Sequence, residues 1–522
     1  MNDRRCAARI PPFPPGYRAS GLLLHVTSLP SPYGIGDVGP GAFVWVDHLH
    51  DAGQEWWQAL PLGPTGYSNS PYQCLSSFAG NGLLISPELL MEDGLLQVDD
   101  CRGTFKSTDI DYDAVIPFKH RLLEVARSKF RAGARRDLLP AYEEFCHSQS
   151  TWLEDYALFR VLKAKYNSAS YLEWPAELVR RAPSALAHAR QHLESEIDRV
   201  RLAQFLLFHQ AKRLKEYARA KGVRLIGDLP FFVPADSSDV WANPELFQLD
   251  EHHRPRFVAG VPPDYFSATG QLWNTPVYDW EALRRTGYDW CIDRIRALLT
   301  HVDVIRLDHF RGFAAAWRVP VGAPTAETGE WAPGPGAGFF STVRRELGAL
   351  PFIAEDLGII TPDVSALRHE FHIPGTRVLQ FAFDARSDNI HLPHNYPPDT
   401  VVYTGTHDNA TTRQWFEELT DRERRWFWSY LKQPEGEIRD AAPELMRLAW
   451  SSPATLAIAP FQDLLNLGRE GRMNVPGRPE GNWRWRTTPH AVSSASFQWL
   501  RDLTNISNGS AIVQVPLMET AS

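Results

Sequence analysis

The sequence predicts an α/β protein built as a (β/α)₈ TIM barrel with large inserted subdomains, one of them mainly helical. Eight short apolar runs recur along the chain, most of them ending on a polar or acidic residue. Runs this short and this apolar suit strands buried on both faces, the signature of a parallel sheet. Helical patterns lie between several of them, as in Tyr278 to Leu299 and Thr361 to Phe371. Periodicity alone fits an open doubly wound sheet as well, but about eight such units point to the closed barrel.

The runs follow in order. Gly21 to His25 comes first and Trp56 to Pro61 second, and Val223 to Asp228 follows a long helical stretch. Val302 to Asp308, Phe352 to Glu355, Arg377 to Phe383 and Val401 to Asp408 come next, with Thr455 to Ala459 as a weaker eighth. The stretch between the second and third runs is too long for one crossover. Its pattern is helical and charged, as in Leu202 to Leu214, so a helical subdomain is read at about 85–221. Two further segments, about 230–280 and 312–340, are long, aromatic-rich and poor in periodicity. Segments of that kind in a compact protein are usually functional and are read as inserted substrate-binding loops. The whole chain, 1–522, is therefore expected to be one catalytic barrel.

Composition narrows the function. Hydrophobic residues make up 43% and charged residues 22%, ordinary for a globular protein, so global disorder is excluded. The net charge of −8 argues against a nucleic-acid partner, which calls for a basic face. No apolar run reaches the ~18 residues of a membrane span. The start, Met1 to Arg18, carries several prolines and no apolar core, so it does not read as a secretory signal. Five scattered cysteines without a Cys-x-x-Cys pair speak against disulfides and structural zinc, and a cytoplasmic location is expected. Aromatic residues reach 12%. Most are expected to serve a large core, while those in Gly/Pro-rich loops would offer flat faces to the C–H faces of sugars.

In such a barrel the site lies at the C-terminal ends of the strands. Four runs carry a carboxylate there: Asp228, Asp308, Glu355 and Asp408. Any one of them is as well explained by capping of the next helix. Four around one rim are equipment for acid and nucleophile chemistry at an acetal. Arg306 and Asp308, two apart on a strand, share a face, which would favour the ionised form of Asp308. The apolar approach Phe352-Ile353-Ala354 suits a protonated Glu355. His407, Asp408 and Asn409 form a polar cluster able to hold hydroxyls. His25, His309 and His407 suit either hydrogen bonding within the mouth or proton transfer. Serine-hydrolase, P-loop and zinc-protease motifs are absent. Gly34-Ile-Gly36-Asp-Val-Gly39 matches a dinucleotide fingerprint superficially, but prolines crowd it and it reads as a loop.

Arg306-Leu-Asp-His-Phe-Arg-Gly312, Ala354-Glu-Asp-Leu-Gly358 and Gly405-Thr-His-Asp-Asn409 resemble the catalytic segments of amylomaltases, the 4-α-glucanotransferases of the α-amylase superfamily. The resemblance continues through Pro61 to Tyr67, Ser70 to Gln73, Gly227 to Pro230 and Val261 to Phe266. It closes with Arg472-Met-Asn474 and Gly481-Asn-Trp483, covering roughly Gly21 to Arg486. It implies Asp308 as nucleophile, Glu355 as general acid/base and Asp408 as transition-state stabiliser. It further implies substrate contacts from Ser70, Tyr72, Asp228, Asp264, Trp273, Arg306, His309, His407 and Asn474. The expected reaction is retaining transfer of an α-1,4-glucan segment between maltooligosaccharides, starch or glycogen-derived glucans, with glucose as an acceptor, and an α-amylase-type hydrolase as the alternative. No cofactor or metal is expected, and the protein is expected as a monomer or homodimer. Departures from the family pattern are Asn69 before Ser70, Asn274-Thr275 after Trp273, Val26 after His25 and Arg318 after Trp317.

Overall fold

The computed structural model of the protein describes residues 13–508 apart from 15, 264–266, 398 and 493. Twelve strands, numbered here in chain order, fall into two sheets. Eight close a parallel barrel: β1 (Ala19–Leu23), β2 (Trp56–Gln58), β3 (Arg224–Leu229), β6 (Val304–Leu307), β9 (Phe352–Ala354), β10 (Gly375–Val378), β11 (Thr400–Tyr403) and β12 (Leu456–Pro460). Each expected run supplies one strand. Neighbours in the barrel are neighbours in this sequence order, and β12 closes on β1 with Ala19 opposite Leu456 and Leu23 opposite Pro460.

The inward side chains make a packed interior rather than a pore. Leu23, Trp56, Ile226, Val304, Ile353, Val401, Leu456 and Ile458 form one buried cluster inside the ring. The large Trp56 fits because Gly21 lies opposite it; a Cβ at Gly21 would come within 2.2 Å of the Trp56 carbonyl oxygen. Outside the ring, helices such as Pro40–Asp51, Asp289–Leu299, Gly336–Leu347, Pro362–Glu370 and Ala441–Ser451 precede strands and cover the sheet. Between β10 and β11 the described residues hold only short 3₁₀ turns.

Three local expectations need correction. The expected run Arg377 to Phe383 lies too late, since β10 ends at Val378 and Leu379–Phe381 turns as a 3₁₀ helix. The pattern from Tyr278 to Leu299 is two helices, Trp280–Arg285 and Asp289–Leu299, broken where Gly287 adopts φ +67°. A helix also opens directly after Gly39, with Pro40 at its first position, where missing the amide N–H costs nothing. Its N-terminal approach is filled, because a Cβ at Gly39 would meet the Ser86 hydroxyl at 2.1 Å.

Between β2 and β3 run seven α-helices, from Pro87–Glu92 to the 27-residue Glu194–Ala220. Two buried glutamines fasten the long helix to the chain leaving β2. Gln204 exchanges hydrogen bonds with Gly80 (2.8 and 2.9 Å), and Gln210 does the same with Ser86 (2.8 and 3.2 Å). These side chains satisfy buried backbone groups that no strand reaches.

The two aromatic-rich segments are not structureless. They pair with each other into a four-stranded antiparallel sheet in the order β5 (Gln271–Pro276), β4 (Phe257–Val261), β7 (Ala315–Pro320), β8 (Glu330–Pro333). Because β7 begins shortly after Asp308, this sheet stands at the C-terminal rim of the barrel. No helix among the described residues is long and apolar enough to cross a membrane. Cys74, Cys101, Cys146 and Cys291 are free thiols, while Cys6 lies outside the described residues.

Candidate active site

Asp228 is the penultimate residue of β3, and Asp308 and Glu355 directly follow β6 and β9. Register places Asp228 beside Arg306 on the neighbouring strand. One guanidinium nitrogen, Arg306 Nη1, donates to both Asp228 oxygens (2.9 and 2.8 Å) and to Asp308 Oδ1 (3.0 Å). The shared face read for Arg306 and Asp308 is therefore real, with Asp228 as a third member. The Tyr72 hydroxyl donates to Asp228 Oδ2 at 2.7 Å. Asp228 and Arg306 are buried, whereas the Asp308 side chain keeps 28% of its surface open. Burial pushes the Asp228 carboxyl upward, and the Arg306 charge opposes it.

Glu355 is held by backbone. Its Oε2 accepts from the His309 amide at 2.8 Å, and Oε1 accepts from Leu357 N–H at 3.3 Å. His309 itself sits in the left-handed region at φ 47°. Such a conformation is costly for a side chain with a Cβ and is typical of functional turns. Burial raises the Glu355 carboxyl to about 8, with the Asp308 charge adding and Arg306 opposing. Burial lowers the His309 imidazole to about 4 and that of His25 to about 3, so both rings are neutral near pH 7.

Asp408 lies beyond the end of β11, on a turn rather than on the strand itself. Asn409 closes that turn, its Oδ1 accepting from Thr406 N–H (2.9 Å) and the Thr406 hydroxyl (2.8 Å), so its oxygen faces the turn. Asn474 Nδ2 donates to Asp408 Oδ1 at 2.7 Å, and His407 Nε2 lies 3.4 Å from the same oxygen. The Asp408 side chain is 49% open.

Aromatic rings wall the site on two sides. Tyr72 stacks on His407 (5.0 Å between centroids, 17° between planes), and Trp483 leans on both at 6.0 and 5.9 Å. Opposite, Trp273 on β5 meets the His309 ring edge-on at 4.8 Å. Ser70 shapes the loop that carries Tyr72, its hydroxyl accepting from Tyr72 N–H at 3.3 Å. Trp483 was absent from the expected site residues, although Gly481-Asn-Trp483 marked its place. Asp264 lies outside the described residues.

Three of the departures have local explanations. Asn274 and Asn69 both adopt φ 56°, a region glycine enters freely and asparagine better than most residues. Arg318 pairs across β7 and β8 with Glu330 at 2.6 Å and lies over the Phe257 ring.

A parallel barrel whose rim holds Asp308, Glu355, Asp408 and a fixed guanidinium between walls of aromatic rings defines an enzyme equipped for chemistry at the acetal carbon of a sugar. The model of the 4-alpha-glucanotransferase family matches residues 24–492. The chain belongs to that family. It is 49% identical to the 4-alpha-glucanotransferase of Synechocystis sp. over 91% of its length and 95% of the relative's, and 46% identical to that of Thermus thermophilus over 91% and 96%. Its fold is similar to the amylomaltase of Streptococcus agalactiae in complex with acarbose, with a TM-score of 0.90 and 37% identity over 94% of this chain and 99% of that one.

Proposed function

We propose that the protein moves α-1,4-glucan segments between maltooligosaccharides, or starch and glycogen-derived glucans, by a retaining double displacement. The observation that carries this reading is the contrast between two neighbouring carboxyl groups. Asp308 is partly open and beside a guanidinium, while burial raises the Glu355 carboxyl to about 8. Asp308 attacks the anomeric carbon while Glu355 protonates the departing 4-oxygen. Glu355, now ionised, takes the proton from the 4-hydroxyl of glucose or another glucan, which displaces Asp308 and restores the α-linkage. Asp408, oriented by Asn474, accepts hydrogen bonds from sugar hydroxyls that shorten as the ring flattens. Tyr72 stacks on the sugar at the cleavage point, and Asp228 acts through Arg306.

Transfer rather than hydrolysis requires that a bound sugar outcompete ~55 M water. Orientation of an acceptor supplies effective molarities of ~10⁵ M or more, provided that the site excludes misplaced water. Trp273, next to His309, is suited to close that side. With maltotriose the protein is expected to give glucose and a ladder of longer maltooligosaccharides, with little gain in reducing ends. Reducing ends that climb steadily with no ladder would establish the hydrolase instead. Trp273→Ala is expected to raise the hydrolysis-to-transfer ratio; an equal slowing of both reactions would remove the shielding role.

The Glu355 proton sets the alkaline limit. The rate at low substrate should fall as pH rises through about 8. The folded carboxyl lies above its ordinary 4.5, so the stability its proton contributes is complete below about 4.5 and lost as pH rises through about 8. Glu355→Gln should therefore lose less stability than the parent protein between those values, read from urea melts. EDTA should leave the rate unchanged, since no three His, Cys, Asp or Glu among the described residues gather as metal ligands. A loss restored by one divalent ion would overturn that. The protein is expected to work in the cytoplasm as a monomer or homodimer.

A further inference from the structure

Seventeen of the eighteen tryptophans are buried or half-buried. Trp331 is the exception, 39% exposed on β8, one of the two outer strands of the rim sheet. Its ring is nonetheless fixed. The Arg311 guanidinium lies 3.7 Å from the ring centroid, and Trp317, its partner in register on β7, packs edge-on at 5.1 Å and 69°. Trp317 is itself tied down by a 2.9 Å bond from its indole N–H to the Ala326 carbonyl. A guanidinium therefore occupies one side of the Trp331 indole, a second indole packs edge-on against it, and the remaining surface faces water.

The patch is continuous with the catalytic rim. Arg311 is buried three residues after Asp308, and its Nη1 donates to the carbonyl of Ile359, four residues after Glu355. Ile359 is itself an exposed large apolar residue. One arginine thus links the Asp308 turn, the Glu355 turn and the exposed indole. As an outer strand, β8 also offers backbone donors and acceptors on its free edge. A flat apolar ring beside a row of hydrogen-bonding groups matches an α-1,4-glucan, whose residues have one C–H face and a rim of hydroxyls. Because Trp331 is already held, binding would cost little rotamer freedom.

We propose that Trp331 is a distal stacking subsite, holding a stretch of α-1,4-glucan that runs out of the cleft beyond the sugars at the cleavage point. The proposal rests on the glucanotransferase reading above. It makes Trp331 a determinant of chain-length preference: glucans long enough to reach β8 gain from it, and short ones do not.

The test compares maltotriose with amylose as substrates for the parent protein and for Trp331→Ala, Trp331→Leu and Trp331→Phe. The parent protein is assayed first, since a failure to transfer at all from maltotriose sinks the functional reading and not merely the subsite. Given transfer, Trp331→Ala and Trp331→Leu should raise KM for amylose about threefold to tenfold, with the KM for maltotriose shifting less than about twofold, and Trp331→Phe should restore most of the loss. Trp331→Leu is included because it keeps an apolar cover over Arg311 without the flat face. Binding of maltoheptaose to Asp308→Asn, with and without Trp331→Ala, should show the same ratio by calorimetry. An unchanged ratio of the two KM values overturns the proposal. So does an equal loss on both substrates, which would mean that Trp331 only supports the Arg311 link. A dimer that dissociates in Trp331→Ala at an unchanged KM ratio overturns it too, making the patch a contact between two copies of the chain.

Discussion

Asp308→Asn is expected to cut transfer by on the order of 10²–10⁴-fold or more, and Glu355→Gln by a similar factor. The amides keep the shape of the side chains, and the Asp308 side chain is partly open to solvent, so both proteins should fold and bind glucan. The two variants separate when the donor carries a leaving group that needs no proton, such as α-maltosyl fluoride. Glu355→Gln should then recover the first step, because only the acid has been lost. Asp308→Asn should not, because the bond-forming group is gone. Recovery of both, or of Asp308→Asn alone, would reverse or remove the assigned roles.

The second large effect concerns Arg306. Its side chain neutralises Asp228 in the barrel interior and reaches Asp308 in the mouth. Arg306→Met leaves two neighbouring carboxyl groups without their cation, one of them buried. Removing one partner of a buried ion pair typically costs about 3–5 kcal/mol. A loss of that size is expected in urea unfolding, together with near-complete loss of activity. Adding Asp228→Asn should recover most of the stability, since the unpaired buried charge is then gone, while activity stays lost. A single variant that melts like the parent protein would mean that Asp228 is already neutral and that the pair is not what holds this part of the barrel.

These charge relations show where sequence reading succeeds and where it stops. The eight barrel strands are legible because a parallel strand covered on both faces has to be apolar along its length, and β9 or β12 in isolation already reads so. The Arg306 and Asp308 pair is legible because Asp308 directly follows the strand that carries Arg306, two residues further on. Asp228 beside Arg306 is not, because it depends on the register of β3 against β6. The late placement of β10 has a similar origin, since Leu379 and Gln380 are buried in the turn after the strand, and burial looks the same in sequence whether the backbone is extended or turning. The rim sheet left no periodic signal. The burial of its strands does not alternate: β4 is buried through its middle three residues, β8 is exposed or half-buried throughout, and β4 and β7 meet across an intervening barrel strand. Trp483 joins the site from far along the chain, and only the short motif around it hinted at that.

The closure of β12 onto β1 has a consequence for the order of synthesis. The first strand of the ring emerges from the ribosome early and must wait for Leu456–Pro460, almost the whole length of the chain, before its second edge is covered. Until then β1 and β11 are open edges of a parallel sheet, the kind of surface that invites association with other nascent chains. A ribosome-bound chain halted just before Leu456 would carry Asp308, Glu355 and Asp408 and still lack both the closing strand and Asn474, which steadies Asp408. The site is therefore expected to be complete only when the last barrel strand and the segment behind it are released, and any lesion that slows that final stretch should be felt as aggregation before it is felt as weak catalysis.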